Sequence, residues 1–340
     1  MAKINLLTIH WGCSYGGTMQ TYATIKTLRQ LGHKVVLINL IHPKTNNLFR
    51  NIRSISLFIR IVQFSLFRYF YFGKTTNKMF SIEEKYLPKA DYTIVGSDQV
   101  WNSDITTSLK ASYFLDFVSE GQKLSYASSF GKSDWIEDEN YTNYIKKQLD
   151  EFKAVSVREE SGLQICKNVF GIPAIQVIDP TLMHRNYDEL IKSNKPIHEI
   201  FPFLLAKTNN SKYICELVSH KLGIPLYSRN RIRNYFGRSP KEWLRRMKNS
   251  SYIITDSFHG LAFSIIFHKQ FLVVCADVRK FTRLQSLLSL LHLEERFIKS
   301  PEDLANRIDI IQKVVDYNII DSILDSERKK SLSFLNNNLK

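Results

Sequence analysis

The first 82 residues of this 340-residue chain contain no aspartate or glutamate, yet they hold eleven lysines and arginines. The whole chain has 47 basic and 32 acidic residues, so the other 258 carry 36 minus 32, only +4 of the formal +15. An excess confined in this way points to an anionic surface or ligand near the N-terminal half. Cysteine is also sparse. Cys13, Cys166, Cys215 and Cys275 are scattered, with no CxxC pair and no histidine at ligand spacing. That argues against a metal site and a disulfide framework, and it fits a reducing, cytoplasmic compartment. Long apolar runs are missing too. No stretch of about eighteen uncharged apolar residues is present to span a bilayer, and the apolar run in MAKINLLTIHWG is too short for a signal peptide.

What is present is alternation. At 340 residues with 44% hydrophobic side chains, two domains are the expectation, divided as 1–185 and 186–340 with a terminal helix packing back. INLLTI (4–9), the glycine-containing loop HWGCSYGG (10–17), a helix closing at Gly32 and KVVLINL (34–40) read as strand, loop, helix, strand. Strands are then expected over 91–97, 122–130, 154–159 and 174–180, with helices over 138–152 and 162–171. In the second half, strands are expected over 201–206, 224–228, 251–257 and 271–276, with helices over 210–221, 240–247, from His259, over 281–291 and over 302–338. This pattern predicts parallel, doubly wound α/β sheets. Two Rossmann-like halves facing a central cleft make a GT-B-like arrangement.

Residues 48–72 interrupt the alternation. On a helix, Arg50, Arg53, Arg60 and Arg68 fall within an arc of roughly 80°, and most of the remaining surface is apolar or aromatic. Either the segment lies on an anionic membrane, or it packs on its own domain with the arginines solvated.

Three stretches carry polar groups where an open sheet binds ligands. Gly12 to Gln20 places Gly16 and Gly17 before a helix, where backbone N–H groups suit an anion or a polar sugar. Ordinary strand-to-helix punctuation accounts for the same residues. VGSDQVWN (95–102) offers Asp98, Gln99 and Asn102, with Trp101 as a flat face for a sugar; alternatively Asp98 caps a helix and Trp101 packs inside. ITDSFHG (254–260) presents Asp256, Ser257, His259 and Gly260, and a histidine there is either an acid/base or a structural hydrogen-bonder. Cations able to meet phosphate and carboxylate include Arg158, Lys207, Arg229, Arg231, Arg233, Arg279 and Arg283.

These stretches, in this order, resemble the polysaccharide pyruvyl transferase family. YGGTMQTYATIKTLRQLGHKVVLINL (15–40), VGSDQVWN, YFLDFV (113–118), SYASSFG (125–131), AVSVREESG (154–162), IDPTL (178–182), PKEWLRRMKNSSYIITDSFHGLAFSIIFHKQFLVV (240–274) and RLQSLLSLLHLEER (283–296) carry the resemblance through nearly the whole chain. It implies a GT-B-like fold, phosphoenolpyruvate as co-substrate with no other cofactor, and a cyclic pyruvate ketal on a sugar of a surface polysaccharide or its lipid-linked precursor. It also implies His259 as acid/base or phosphate contact. Many relatives have Arg where Ser257 stands, so Arg158 and Arg283 become the expected donor contacts, beside Ser257 and Gly260. Asp98 is expected as a second acid/base, and Gly16, Gly17, Gln20, Gln99, Trp101, Asn102 and Asp256 as acceptor or cleft contacts. A lipid-linked acceptor would give peripheral attachment through 48–72 to the inner face of the membrane.

The main rival keeps the fold and takes a nucleotide sugar, with RNRIRNYFGR (229–238) lining a base pocket. Nucleic-acid binding is suggested only by the pI near 9.5, with no recognised module. A catalytically silent scaffold rests on Ser257 alone.

Overall fold

The computed structural model describes residues 1–43, 55–191, 195–227, 238–275 and 282–340. The chain divides into two compact units, residues 1–184 with 327–340, and residues 185–326.

In the first unit, β1 (Lys3–Leu7), β2 (Lys34–Leu37), β3 (Tyr92–Val95), β4 (Gln122–Ser125) and β5 (Phe152–Ala154) form one sheet in the order β2-β1-β3-β4-β5. Every pair is parallel; Ile4 lies between Val35 and Tyr92. β1, β2 and β3 are mostly apolar and buried, as parallel strands covered on both faces are. α1 (Tyr15–Gln30), capped by Ser14, whose Oγ accepts the Gly17 N–H at 3.1 Å, packs against α2 (Ile55–Tyr71), with Tyr22 edge-on to Phe67 at 6.2 Å. The core gathers Leu7, Ile9, Val95, Trp101, Phe114, Phe130, Val157 and Phe170.

Residues 154–159 form no single strand. Beyond β5, β6 (Ser156–Val157) pairs with β7 (Ile175–Gln176). The expected helix over 162–171 is a short α-helix, Glu160–Ile165, extended by one wider turn to Gly171, whose φ of 69° closes it. The C-terminal residues rejoin this unit through Ser331 Oγ, which accepts Ile178 N–H at 3.1 Å, and Lys340 O, which accepts from Tyr92 Oη at 2.8 Å.

The second unit holds β8 (Ile197–Phe203), β9 (Ser250–Thr255), β10 (Gln270–Val274) and β11 (Phe297–Ile298), parallel and in the order β11-β10-β9-β8. Residues 224–228 make no strand, only a bridge from Leu226 to Ile200 on the free edge of β8. Counting that bridge, the order repeats the first unit's: the chain starts inside the sheet, steps to one side, then crosses and continues on the other. The expected helix over 302–338 is broken into Pro301–Asn306, a turn at Ile308–Ile311 and Tyr317–Asn338. Pro301 starts the first piece at its N1 position. Among the described residues, no helix is long and apolar enough to cross a membrane.

Candidate functional site

In a sheet of this order, the connections leave in opposite directions at one point, and the crevice outside the carboxyl ends of the strands there is where ligands bind. In the first unit that point lies between β1 and β3. The loop after β1 runs from Thr8 into α1, and the loop after β3 begins Gly96-Ser97-Asp98. Asp98 sits at φ 74°, a left-handed backbone in a residue that carries a Cβ. Its own carbonyl accepts the N–H groups of Val100 and Ser129, at 2.7 and 3.1 Å, which hold the turn in place. Its Oδ1 accepts Gln99 N–H at 3.0 Å, and its Oδ2 is aimed at the first turn of α1, 3.4 Å from where a Cβ on Gly17 would stand. That same Cβ would be 3.1 Å from Ile9 O, so glycine is what lets the helix start this close to β1 and Asp98. The carboxylate thus faces the positive end of a 16-residue helix, partly open to solvent.

Several residues expected at this site are committed elsewhere. Gln20 is fully buried; its amide donates to Thr8 Oγ1 (2.9 Å), Ile9 O (3.1 Å) and Gly17 O (3.1 Å), tying α1 to the end of β1. Trp101 offers no face for a sugar. It is 2% exposed, stacks on Phe114 at 5.2 Å and donates from its indole to Tyr113 O at 3.0 Å. Asn102 caps the one-turn helix Ser103–Thr106 and donates to Gln99 Oε1 at 2.9 Å. Gly16 lies in the open first turn of α1 beside Gly17.

Arg158 is buried in an ion-pair network. Its Nη1 lies 2.7 Å from Asp179 Oδ2 and its Nε 3.4 Å from Glu159 Oε2. Burial opposes the charge, but the carboxylates of Asp179, Glu159 and Asp98 outweigh it and hold its pKa above the usual value. Asp179 also accepts from Ser97 Oγ at 2.8 Å and from both the N–H and the hydroxyl of Thr181. Glu159 accepts from Ser129 Oγ and from Gly131 N–H. Arg158 therefore joins the loops after β3, β4, β6 and β7 rather than offering a charge to a donor. Asp179 is the hub that sequence reasoning missed; the Asp-Pro-Thr run of IDPTL, an acid ahead of a helix-starting proline, was its signal.

The basic helix α2 packs on its own domain, as one of the two expectations has it, but Arg60 and Arg68 are turned inward rather than solvated. Arg60 Nη2 donates to Cys13 O at 2.7 Å, and Arg68 Nη1 donates to His10 O at 3.2 Å and Gly12 O at 2.8 Å. The two guanidinium groups clamp the backbone of the loop after β1. His10, in that loop, is buried between Thr8 O (3.0 Å) and Asn39 Oδ1 (3.1 Å). Arg50 and Arg53 lie outside the described residues, as do Arg229, Arg231, Arg233 and Arg279.

The second unit has its own point of reversal, between β8 and β9. Asp256 follows β9 and spans it: Oδ1 accepts Leu205 N–H at 2.6 Å and Oδ2 accepts Ala206 N–H at 2.8 Å. This fixes the loop after β8, which ends at the exposed Lys207. Ser257 caps α8, our label for Phe258–Ile266 (α3 to α7 being Glu139–Asp150, Glu160–Ile165, Pro180–Met183, Asn209–Leu222 and Pro240–Asn249), with its Oγ accepting Gly260 N–H at 3.4 Å. Gly260 is a packing residue, since a Cβ there would come within 2.1 Å of Thr255 Oγ1 and 3.0 Å of Phe203 Cδ1. His259 lies in the first turn of α8, 6% exposed, its ring 5.3 Å from that of Phe258. Arg283 lies half-buried in α9 (Thr282–Leu290). Among the described residues no three His, Cys, Asp or Glu side chains are grouped as metal ligands.

The fold is shared with known α/β proteins. Over 100% of its length the chain is similar to a UDP-N-acetylglucosamine 2-epimerase from Rickettsia bellii, covering 99% of that chain at 12% identity with a TM-score of 0.51. It is similar to an uncharacterised protein from Klebsiella pneumoniae at 9% identity and a TM-score of 0.50, covering 87% of this chain and 93% of that one. Its fold is of the GT-B type. No curated protein matches the chain in sequence. The profile of the polysaccharide pyruvyl transferases matches residues 15–274, and the chain belongs to that family.

Proposed function

We propose that this protein transfers the pyruvyl group of phosphoenolpyruvate to two hydroxyls of a sugar in a surface polysaccharide or its lipid-linked precursor, forming a cyclic ketal. The observation that carries this reading is the family match, which runs from Tyr15, where α1 begins, to Val274, where β10 ends, and so includes both strand-end groups.

The chemistry is balanced by two proton movements. One hydroxyl adds to the carbon bearing the phosphate as the donor's methylene takes a proton and becomes methyl. The second hydroxyl then displaces phosphate. Of the two hydroxyl protons, one is made good on the methyl group and the other leaves with phosphate. A donor with a carboxylate and a phosphate needs cationic groups, and Arg pairs with both in a fixed fork. Ser257 is occupied as a helix cap and Arg158 by two carboxylates. Arg283 and Lys207 are then the cations assigned to the donor, together with the positive end of α8. His259, in that first turn, is assigned as the acid/base, or as a phosphate donor in its protonated form. Asp98 is assigned to an acceptor hydroxyl.

The test is calorimetric titration of the whole protein and of His259→Ala with phosphoenolpyruvate and, separately, with UDP-sugars. Wild-type binding of phosphoenolpyruvate, weakened at least about tenfold, or about 1.4 kcal/mol, in the variant is the expected result. Binding of a UDP-sugar instead would transfer the reading to a nucleotide-sugar transferase.

A further inference from the structure

The outward face of α2 is apolar from end to end. Ile55, Phe58, Val62, Leu66, Tyr69 and Phe70 are exposed, with Ile55 at 69%, Tyr69 at 79% and Phe70 at 68%. At 100° per residue these six fall within an arc of roughly 120° along the 17-residue helix. The arc contains no charged side chain, because Arg60 and Arg68 lie on the opposite face with the buried Ile61, Phe64 and Phe67. A contiguous exposed stripe of this kind marks an interaction site.

We propose that this stripe docks on an anionic lipid bilayer, with its side chains in the boundary between headgroups and acyl chains. Charge selects the occupant. Just past the helix, Lys74 and Lys78 are exposed, and Lys78 Nζ lies 4.9 Å over the ring of Phe80, itself exposed. The first 82 residues hold eleven basic and no acidic residues. A second copy docking through the same face would set this basic, acid-free region against itself, since a two-fold contact repeats one patch on both sides. An anionic headgroup layer answers the charge while the acyl chains take the apolar side chains. The opposite face of the same helix grips the carbonyls of His10, Gly12 and Cys13, so docking would hold the loop after β1 at a set distance from the lipid surface.

Cosedimentation with vesicles tests this without donor or acceptor, so its failure and the failure of the pyruvyl transfer reading are separate events. The whole protein is expected to sediment with mixed phosphatidylglycerol and phosphatidylcholine vesicles, and much less with phosphatidylcholine alone. The triple variant Phe58→Ser, Leu66→Ser, Phe70→Ser is expected to lose at least about tenfold in partitioning with its melting temperature kept, since all three side chains are exposed. Three results would overturn the proposal: no wild-type sedimentation with anionic vesicles, equal sedimentation of the triple variant, or a wild-type dimer in solution that the variant dissolves, which assigns the stripe to a second copy.

Discussion

The two units reverse their sheets in the same way and place an aspartate just past the strand beyond the reversal, Asp98 after β3 and Asp256 after β9. The two carboxylates are used in opposite ways. Asp256 accepts two backbone N–H groups, from Leu205 and Ala206, one on each oxygen, and so serves as the brace of its loop. Asp98 has one oxygen on its neighbour's N–H and turns the other toward the glycine start of α1, from a left-handed backbone that the surrounding carbonyl contacts hold in place. The bracing that Asp256 does by itself is done around Asp98 by Asp179, Glu159, Arg158 and Ser97. Where other groups supply the structure, the acid at the reversal keeps one oxygen out of the bracing, turned to the start of α1.

Removing the brace from the first unit gives the largest expected effect. Asp179→Ala takes from the buried Arg158 guanidinium its closest carboxylate, leaving Glu159 and the more distant charge of Asp98, and strips the Ser97 and Thr181 bonds. A broken buried pair of this kind costs about 3–5 kcal/mol, read as a fall in the urea midpoint with the slope kept. A loss below about 1 kcal/mol would mean the network is no brace, and the contrast between the units would collapse.

Exchanging the two aspartates for asparagine sharpens the contrast further. Asn tolerates the left-handed backbone at position 98 as Asp does, so Asp98→Asn should keep its melting temperature. Turnover, followed as phosphate released, should drop about hundredfold, the low end for a lost acid or base. Asp256→Asn retains only one acceptor oxygen for two N–H groups. Its expected loss is about 1–3 kcal/mol of stability, with a higher KM for the donor. Equal kcat losses in both variants would show that the two acids share one role.

The central strands, such as residues 4–7 and 252–254, are legible because they are mostly apolar or aromatic runs with buried side chains, whereas Phe152–Ala154 carries an exposed Lys153 and Ile197–Phe203 an exposed His198. The strand-end stretches were legible for a less direct reason. VGSDQVWN and AVSVREESG look constrained, but most of the constraint is packing and hydrogen bonding: Trp101 fills the core, Gln20 knots two elements, and Arg158 is neutralised in place. A polar residue at a strand end has the same one-dimensional appearance whether it meets a ligand or another loop, and only the partner's position separates the two. The inward turn of the α2 arginines is hidden from the sequence for the same reason. The arginines form a coherent arc, but the carbonyls they grip come from residues 47 to 58 positions earlier, and periodicity carries no information about such a partner. With apolar side chains on both faces, the inward one could be found only from the packing.

His10 gives the smallest effect and probes the loop that α2 clamps. Burial lowers its pKa below 6.5, against the hydrogen bonds to Thr8 and Asn39, and the nearby Arg68 charge lowers it further. The native ring therefore stays neutral as pH falls through 6.5, where the same histidine in the unfolded chain takes up a proton. The unfolded state then binds more protons, so stability declines with falling pH by up to about 1.4 kcal/mol per unit until the native ring is protonated. His10→Gln removes this linkage along with the ring's contacts to Thr8 and Asn39. It should be less stable than the wild type near neutral pH, and the gap should narrow as pH drops from about 6.5 to about 5, in paired urea titrations across that range. A gap that stays constant would place the ring in solvent contact, against its burial between Thr8 and Asn39.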